Sequence, residues 1–158
     1  MLIPVDANNL PVYLNLAQAY EAEFSVLTDK SPGADGLFAL DTLLEGNVTG
    51  YLWYDSETPI GLAAIARHGE SEFEVCEFYV VPRYRKAGLG AQFARTIWDK
   101  LPGFWTIKQI AGAEYATQFW RRAIATAGIT QVTEDTYVDP YWGTVTRQQF
   151  QYKSNTCT

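Results

Sequence analysis

Cysteine and histidine are scarce. The chain has two cysteines, Cys76 inside a strand-like run and Cys157 at the far end, and one histidine, His68. That is too few for a disulfide framework, and no His/Cys cluster has the spacing of a zinc site. A metal-free protein in a reducing compartment is expected. Long apolar runs are missing too. No stretch approaches the roughly 18 residues of a membrane-spanning helix, and the start, from Met1 to Asp6, lacks the charged and apolar regions of a signal peptide. The predicted location is the cytoplasm, with no membrane partner.

Positive charge is in deficit: 12 Lys and Arg against 18 Asp and Glu, a net charge of −6. Such a surface repels nucleic acid, so none is expected as a partner. It either favours a cationic acceptor such as an amine or serves solubility alone. Against this background Arg83, Arg85 and Lys86 form a basic island.

With 158 residues, 47% hydrophobic and 15% aromatic, the chain suits one domain over residues 1–158 with a substantial core. Residues 2–5 read as a strand. Asn8, Asn9 and Pro11 then supply capping side chains and a first-turn proline for a helix over 11–26, where Tyr13, Leu16, Ala17, Tyr20 and Phe24 share one face. A Pro/Gly/Asp loop follows, and residues 37–44 are expected to form a second, short helix closed by Gly46. Residues 48–54, 60–67 and 73–81 read as three strands joined by short turns, hence antiparallel. A helix over 88–101 carries Leu89, Phe93, Ala94, Ile97, Trp98 and Leu101 on one face, and a strand over 104–109 follows it. The next helix has Tyr115, Phe119, Ala123, Ile124 and Ala127 at helical spacing. Strands over 131–138 and 144–152 close the chain. The helical crossover should make 73–81 and 104–109 parallel neighbours.

The chain is organised around one stretch, from Cys76 to Gly90: a buried strand, Pro82, a basic glycine-containing turn and the first turn of a helix. Helix N-terminal N–H groups lack partners and sit at the positive end of the dipole, so they attract phosphate oxygens. Gly88 and Gly90 remove Cβ atoms that would hold a pyrophosphate off, and Arg85 and Lys86 add charge. A dinucleotide fingerprint would need a third glycine where Phe93 stands, and a P-loop would need Gly-Lys-Ser/Thr.

Arg85-x-x-Gly88-x-Gly90 after a strand resembles the coenzyme A pyrophosphate loop of the GNAT N-acetyltransferase superfamily. Glu77-Phe78-Tyr79-Val80, Tyr84-Arg85, Pro102-Gly103-x-Trp105, Gln109 and Ala116-x-x-Phe119-Trp120-Arg121 are similar to one bacterial branch of it. The likeness covers residues 74–124 well and reaches the N-terminal half through Tyr20 and Glu23-Phe24-Ser25. It implies an α/β (α+β) GNAT fold: a mixed sheet of about 6–7 strands flanked by about four helices, with two splayed parallel strands at the cofactor. It also implies acetyl-CoA as cofactor and a primary amine as acceptor. Arg85, Lys86, Ala87, Gly88, Leu89, Gly90 and Ala91 would hold the pyrophosphate. Backbone amides of Phe78, Tyr79 and Val80 would meet the pantetheine and thioester, beside Phe119.

Glu77 is the candidate general base, a carboxylate in an otherwise apolar strand where burial raises the pKa. Strand alternation puts Glu77 and Tyr79 on one face, Phe78 and Val80 on the other. The family's Asn-x-x-Ala-x-x-Phe/Leu-Tyr pattern falls on Ala113, Ala116, Phe119 and Trp120, so the asparagine and the usual acid are both replaced. An indole N–H donates a hydrogen bond but is no practical acid. Protonation of the departing thiolate would then fall to water or to another tyrosine, Tyr115, Tyr137 or Tyr141. Those replacements also admit a non-catalytic acyl-CoA-binding or sensor module. The aromatic pair Tyr141-Trp142 offers a surface for a homodimer.

Overall fold

The computed structural model describes residues 1–155, so Cys157 lies outside the described residues. Seven strands form one sheet in the order β1-β2-β3-β4-β5-β7-β6. They are β1 (Leu2–Pro4), β2 (Val48–Asp55), β3 (Thr58–Gly69), β4 (Glu72–Val80), β5 (Gly103–Ile110), β6 (Val132–Asp139) and β7 (Gly143–Tyr152). All neighbours are antiparallel except β4 and β5, which are parallel, as the helical crossover between them requires.

Three α-helices and one short 3-10 helix flank the sheet: α1 (Leu10–Thr28), the 3-10 helix (Pro82–Ala87), α2 (Leu89–Lys100) and α3 (Glu114–Thr126). On one face α2 and α3 pack Phe93, Ala94, Ile97, Trp98, Trp120 and Ile124 against Ile65, Trp105 and Phe150. On the other, Tyr13 and Ala17 of α1 meet Leu52, Leu62 and Tyr79. On α3 the buried stripe runs through Trp120, Ala123 and Ile124. Tyr115, expected on that stripe, is 63% exposed.

The entry to α1 is closed differently from the expectation. Asn9 is its N-cap but makes no side-chain cap bond. Its amide instead donates to Pro4 O, while Asp6 accepts from the N–H groups of Asn8 and Asn9.

Residues 37–44 do not form the expected helix. Side chains of α1 take the backbone groups that a helix would have paired. Gln18 accepts from Phe38 N–H (2.8 Å) and donates to Phe38 O (2.9 Å), and Glu21 Oε1 accepts from Asp41 N–H (3.2 Å). Lys30 Nζ donates to Ala39 O at 2.6 Å. With these backbone groups already bonded, the segment has less to gain from coiling. Leu40 and Leu44 still reach the core on the α1 side.

Candidate active site

The site lies where β4 and β5 part. Their parallel pairing runs from Glu72↔Phe104 to Val75↔Ile107 and ends there, although β4 continues to Val80 and β5 to Ile110. Two features of the sheet cause the parting. The pairing of β3 with β4 steps from Ala64↔Glu77 to Ile65↔Val75, which leaves Cys76 as the extra residue of a bulge and bends β4. Meanwhile β5 stays paired with β7 as far as Ile110↔Val145.

Backbone direction in the freed part of β4 follows from one bond. Val81 N–H donates to Ile60 O (2.8 Å), and bonded partners alternate along an antiparallel pair. Glu77 and Tyr79 therefore turn their backbone groups to β3, and the N–H groups of Phe78 and Val80 point into the gap. The expected amide of Tyr79 is thus committed to the sheet. Its carbonyl oxygen lies 2.7 Å from where a Cβ on Gly61 would be, in agreement.

Two cavities occupy the gap. The larger, about 360 Å³, has Glu77, Cys76, Asp41, Thr42, Glu74, Lys108, Tyr137 and Trp142 among its lining residues. The smaller, about 110 Å³, is walled by Phe78, Tyr79, Val80, Arg85, Gly90 and Phe119, with Glu23 and Tyr115. Tyr20, Phe24, Phe78, Ala116 and Trp120 line both.

Glu77 is 4% exposed, and its Oε1 has no hydrogen-bond partner. Burial, then the charge of Glu21, pushes its carboxyl up to about 7; the Thr42 hydroxyl and Lys30 pull the other way. Glu21, 1% exposed, is ion-paired with Lys30 (2.8 Å), which also meets Asp41 (3.1 Å). None of Glu21, Lys30, Asp41 or Thr42 was read from the sequence as part of the site. Glu21 had a signal: it continues the i, i+4 series of Tyr13 and Ala17 on the buried stripe of α1. Burial also raises the Cys76 thiol to about 11, so it stays neutral. Glu74 bridges Lys108 (3.0 Å) and His68 (2.8 Å) at the cavity's edge.

The basic loop is folded more tightly than a simple turn. Pro82–Ala87 is the 3-10 helix, and Gly88 takes the left-handed conformation (φ 73°) that joins it to α2. A Cβ on Gly88 would meet nothing, so this glycine is required by its φ. At Gly90 a packing reason is also present: its Cβ would lie 3.0 Å from the Phe119 ring, so Gly90 allows α2 and α3 to approach. Arg85 is paired already. Its Nε donates to Val80 O (2.8 Å), its Nη2 meets Glu23 (2.6 Å), and its guanidinium lies over the Tyr79 ring.

Lys86 and Ala87 are exposed, and Leu89 and Ala91 turn their side chains into the core on the α2 side. Of the alternative acids, Tyr137 lines the larger cavity and Tyr115 the smaller, while Tyr141 is 77% exposed and lines neither. Ala113 is the N-cap of α3 at the larger cavity.

A sheet split between two parallel strands, with a helix N-terminus and a basic turn at its mouth, defines an acyl-CoA-dependent acyltransferase fold. A sequence model of the acetyltransferase (GNAT) family matches residues 13–123. The chain belongs to that family: it is an acyltransferase, and its cofactor is acetyl-CoA.

Solved structures agree on the fold. A GNAT-family protein from Bacteroides thetaiotaomicron superposes with a TM-score of 0.65 at 15% identity, over 97% of this chain and 88% of that one. Spermidine N-acetyltransferase from Vibrio cholerae, solved with CoA and spermine, gives 0.64 at 11% identity, over 96% and 95%. A GNAT-family acetyltransferase from Elizabethkingia anophelis with acetyl-CoA bound gives 0.57 at 11% identity, over 96% and 97%. A sequence search of curated proteins finds no match.

The residues present fit this cofactor. The first backbone bond of α2 runs from Gln92 N–H to Gly88 O (3.1 Å), so the N–H groups of Leu89, Gly90 and Ala91 precede the helical ladder and are available to an anion. Among the described residues no helix is long and apolar enough to cross a membrane.

Proposed function

We propose that this enzyme moves acetyl directly from acetyl-CoA to a primary amine of a small molecule or peptide, with Glu77 as the general base. The observation that carries the reading is the buried, half-satisfied carboxylate of Glu77 beside the gap where β4 leaves β5. A base tuned near neutrality accepts a proton efficiently at working pH. Acetyl-CoA, when bound, supplies an activated acetyl thioester. Arg85, Lys86, Ala87 and the N–H groups of Gly88, Leu89, Gly90 and Ala91 would hold its pyrophosphate. The N–H groups of Phe78 and Val80 point into the gap and would donate to a thioester carbonyl oxygen as it gains charge, and Tyr79 and Phe119 would contribute ring walls. The neutral Cys76 thiol is unsuited to a covalent relay, which favours direct transfer.

The acceptor cavity supports a cationic amine. Asp41, Glu74, Glu77 and Asp139 line it against Lys108 alone, among aromatic rings that also attract cations. The Vibrio protein's spermine complex makes polyamines a sensible start to the acceptor panel.

The cofactor grip is tested by titrating acetyl-CoA and CoA into the parent and into Arg85→Ala/Gly88→Trp. A side chain at position 88 meets no protein atom but strains the left-handed turn, so the variant alters the loop as well as removing the Arg85 charge. Micromolar binding in the parent and its loss in the variant are expected. Equal binding in both would move the cofactor elsewhere. Trp120 in place of the usual tyrosine favours the second reading, an acyl-CoA sensor, which requires CoA binding with no amine acetylated.

A further inference from the structure

We propose that the Tyr20 hydroxyl is the proton donor to the sulfur leaving the acetyl group, the task for which α3 offers only the indole of Trp120. The assignment rests on the acetyl-transfer reading above and identifies a further catalytic group for that reaction.

The placement comes from the two cavities. A donor to the leaving sulfur must stand where the cofactor groove meets the acceptor cavity, and only five residues line both: Tyr20, Phe24, Phe78, Ala116 and Trp120. Phe24, Phe78 and Ala116 have no side-chain proton to give, and an indole N–H is too weak an acid. Tyr20 alone carries an ionisable hydroxyl. The other tyrosines fail on position: Tyr137 reaches only the acceptor side, Tyr79 and Tyr115 only the cofactor side.

The ring is held for the task. It stacks on Phe24 with centroids 5.2 Å apart and meets Tyr79 edge-on at 6.0 Å. Tyr20 is also electrostatically coupled to the base. Burial and then the negative charge of Glu77 hold its hydroxyl well above the usual tyrosine range, which keeps it protonated but makes it a weaker acid while Glu77 is charged.

The proton count closes. As the N–C bond forms, Glu77 takes a proton from the amine nitrogen. As the C–S bond breaks, Tyr20 gives its proton to sulfur. Neutralising Glu77 removes the charge that most opposes a phenolate at Tyr20, so the first transfer eases the second. The phenolate then recovers the proton from Glu77, directly or through water, and both groups return to their starting states.

The test is Tyr20→Phe, which keeps the ring and its stacking, beside Tyr137→Phe and Tyr115→Phe. For Tyr20→Phe, kcat should fall by about 100-fold while KM for acetyl-CoA stays within about twofold. Tyr137→Phe and Tyr115→Phe, each at a residue that lines one cavity only, should cost far less than Tyr20→Phe. A second readout needs no turnover: the thiol of bound CoA is titrated by its thiolate absorbance. A hydroxyl donating to sulfur favours the thiolate, so removing it should raise the thiol pKa by about one unit.

Unchanged kcat in Tyr20→Phe, or a loss carried by Tyr137→Phe instead, overturns the assignment. So does an unshifted thiol titration even where kcat falls, because that pattern belongs to packing. A parent that binds CoA but acetylates no amine defeats the transferase reading, and this assignment with it. An active parent matched by an equally active Tyr20→Phe defeats the assignment alone.

Discussion

Replacing Glu77 with Gln is expected to cut kcat/KM for the amine by about 10³ while raising the unfolding temperature at about pH 8. Both effects come from one carboxylate held out of water. In the folded protein its pKa is raised from the ordinary 4.5 to about 7, so folding favours the protonated form. The stability of that form is fully present below the ordinary pKa and is lost as pH rises through about 7. A difference of this size corresponds to roughly 3 kcal/mol at most above neutrality, or several degrees in unfolding temperature for a chain of this length.

Gln cannot ionise, so the variant should gain little near pH 4 and most near pH 8. The parent's kcat/KM should climb with pH through about 7, and the variant's should not. Thermal scans at the two pH values and a pH–rate series measure both halves. Loss of stability at pH 8, or a variant that keeps the parent's pH–rate limb, would remove Glu77 as the base.

Lys30→Met should destabilise the protein by about 3 kcal/mol, because it leaves the buried Glu21 without its counter-ion. Lys30 does three things at once: it pairs with Glu21, it pairs with Asp41, and it holds Ala39 O. Its loss should also release residues 37–44 from α1. It further removes a charge that lowers the Glu77 pKa, so the rise of rate with pH should move to higher pH. The double variant Glu21→Gln/Lys30→Met removes both charges and should recover most of the stability. Urea unfolding of the three proteins measures this. A cost below about 0.5 kcal/mol for Lys30→Met, the range of an ordinary surface change, would show that Glu21 is not buried as a charge.

The sheet was legible in the sequence because its signals are local. Strand alternation, short turns and the helical crossover sufficed to place antiparallel β2, β3 and β4 and the parallel pair of β4 and β5. The Arg85-x-x-Gly88-x-Gly90 pattern pointed to the turn beside the smaller cavity for the same reason: its residues lie within six consecutive positions. What escaped was non-local. The apolar spacing of Leu37, Leu40 and Leu44 is that of a helix, yet Gln18 and Glu21, some twenty residues away, bind the backbone there. The Arg85 pairing with Glu23 spans still more of the chain. Gly90 has a second role that the local pattern did not show, the close approach to Phe119 across α2 and α3. The acid cluster of Glu21, Asp41 and Glu77 is drawn from α1, the 37–44 segment and β4, and no single window of sequence contains it.

The most direct test of the account is to mix the protein with acetyl-CoA and a panel of primary amines near pH 8 and detect the products by mass spectrometry. The account predicts an acetylated amine formed in step with free CoA, strongest for cationic acceptors and nearly abolished in Glu77→Gln. CoA bound tightly by the loop, with no amine acetylated across the panel, would contradict it.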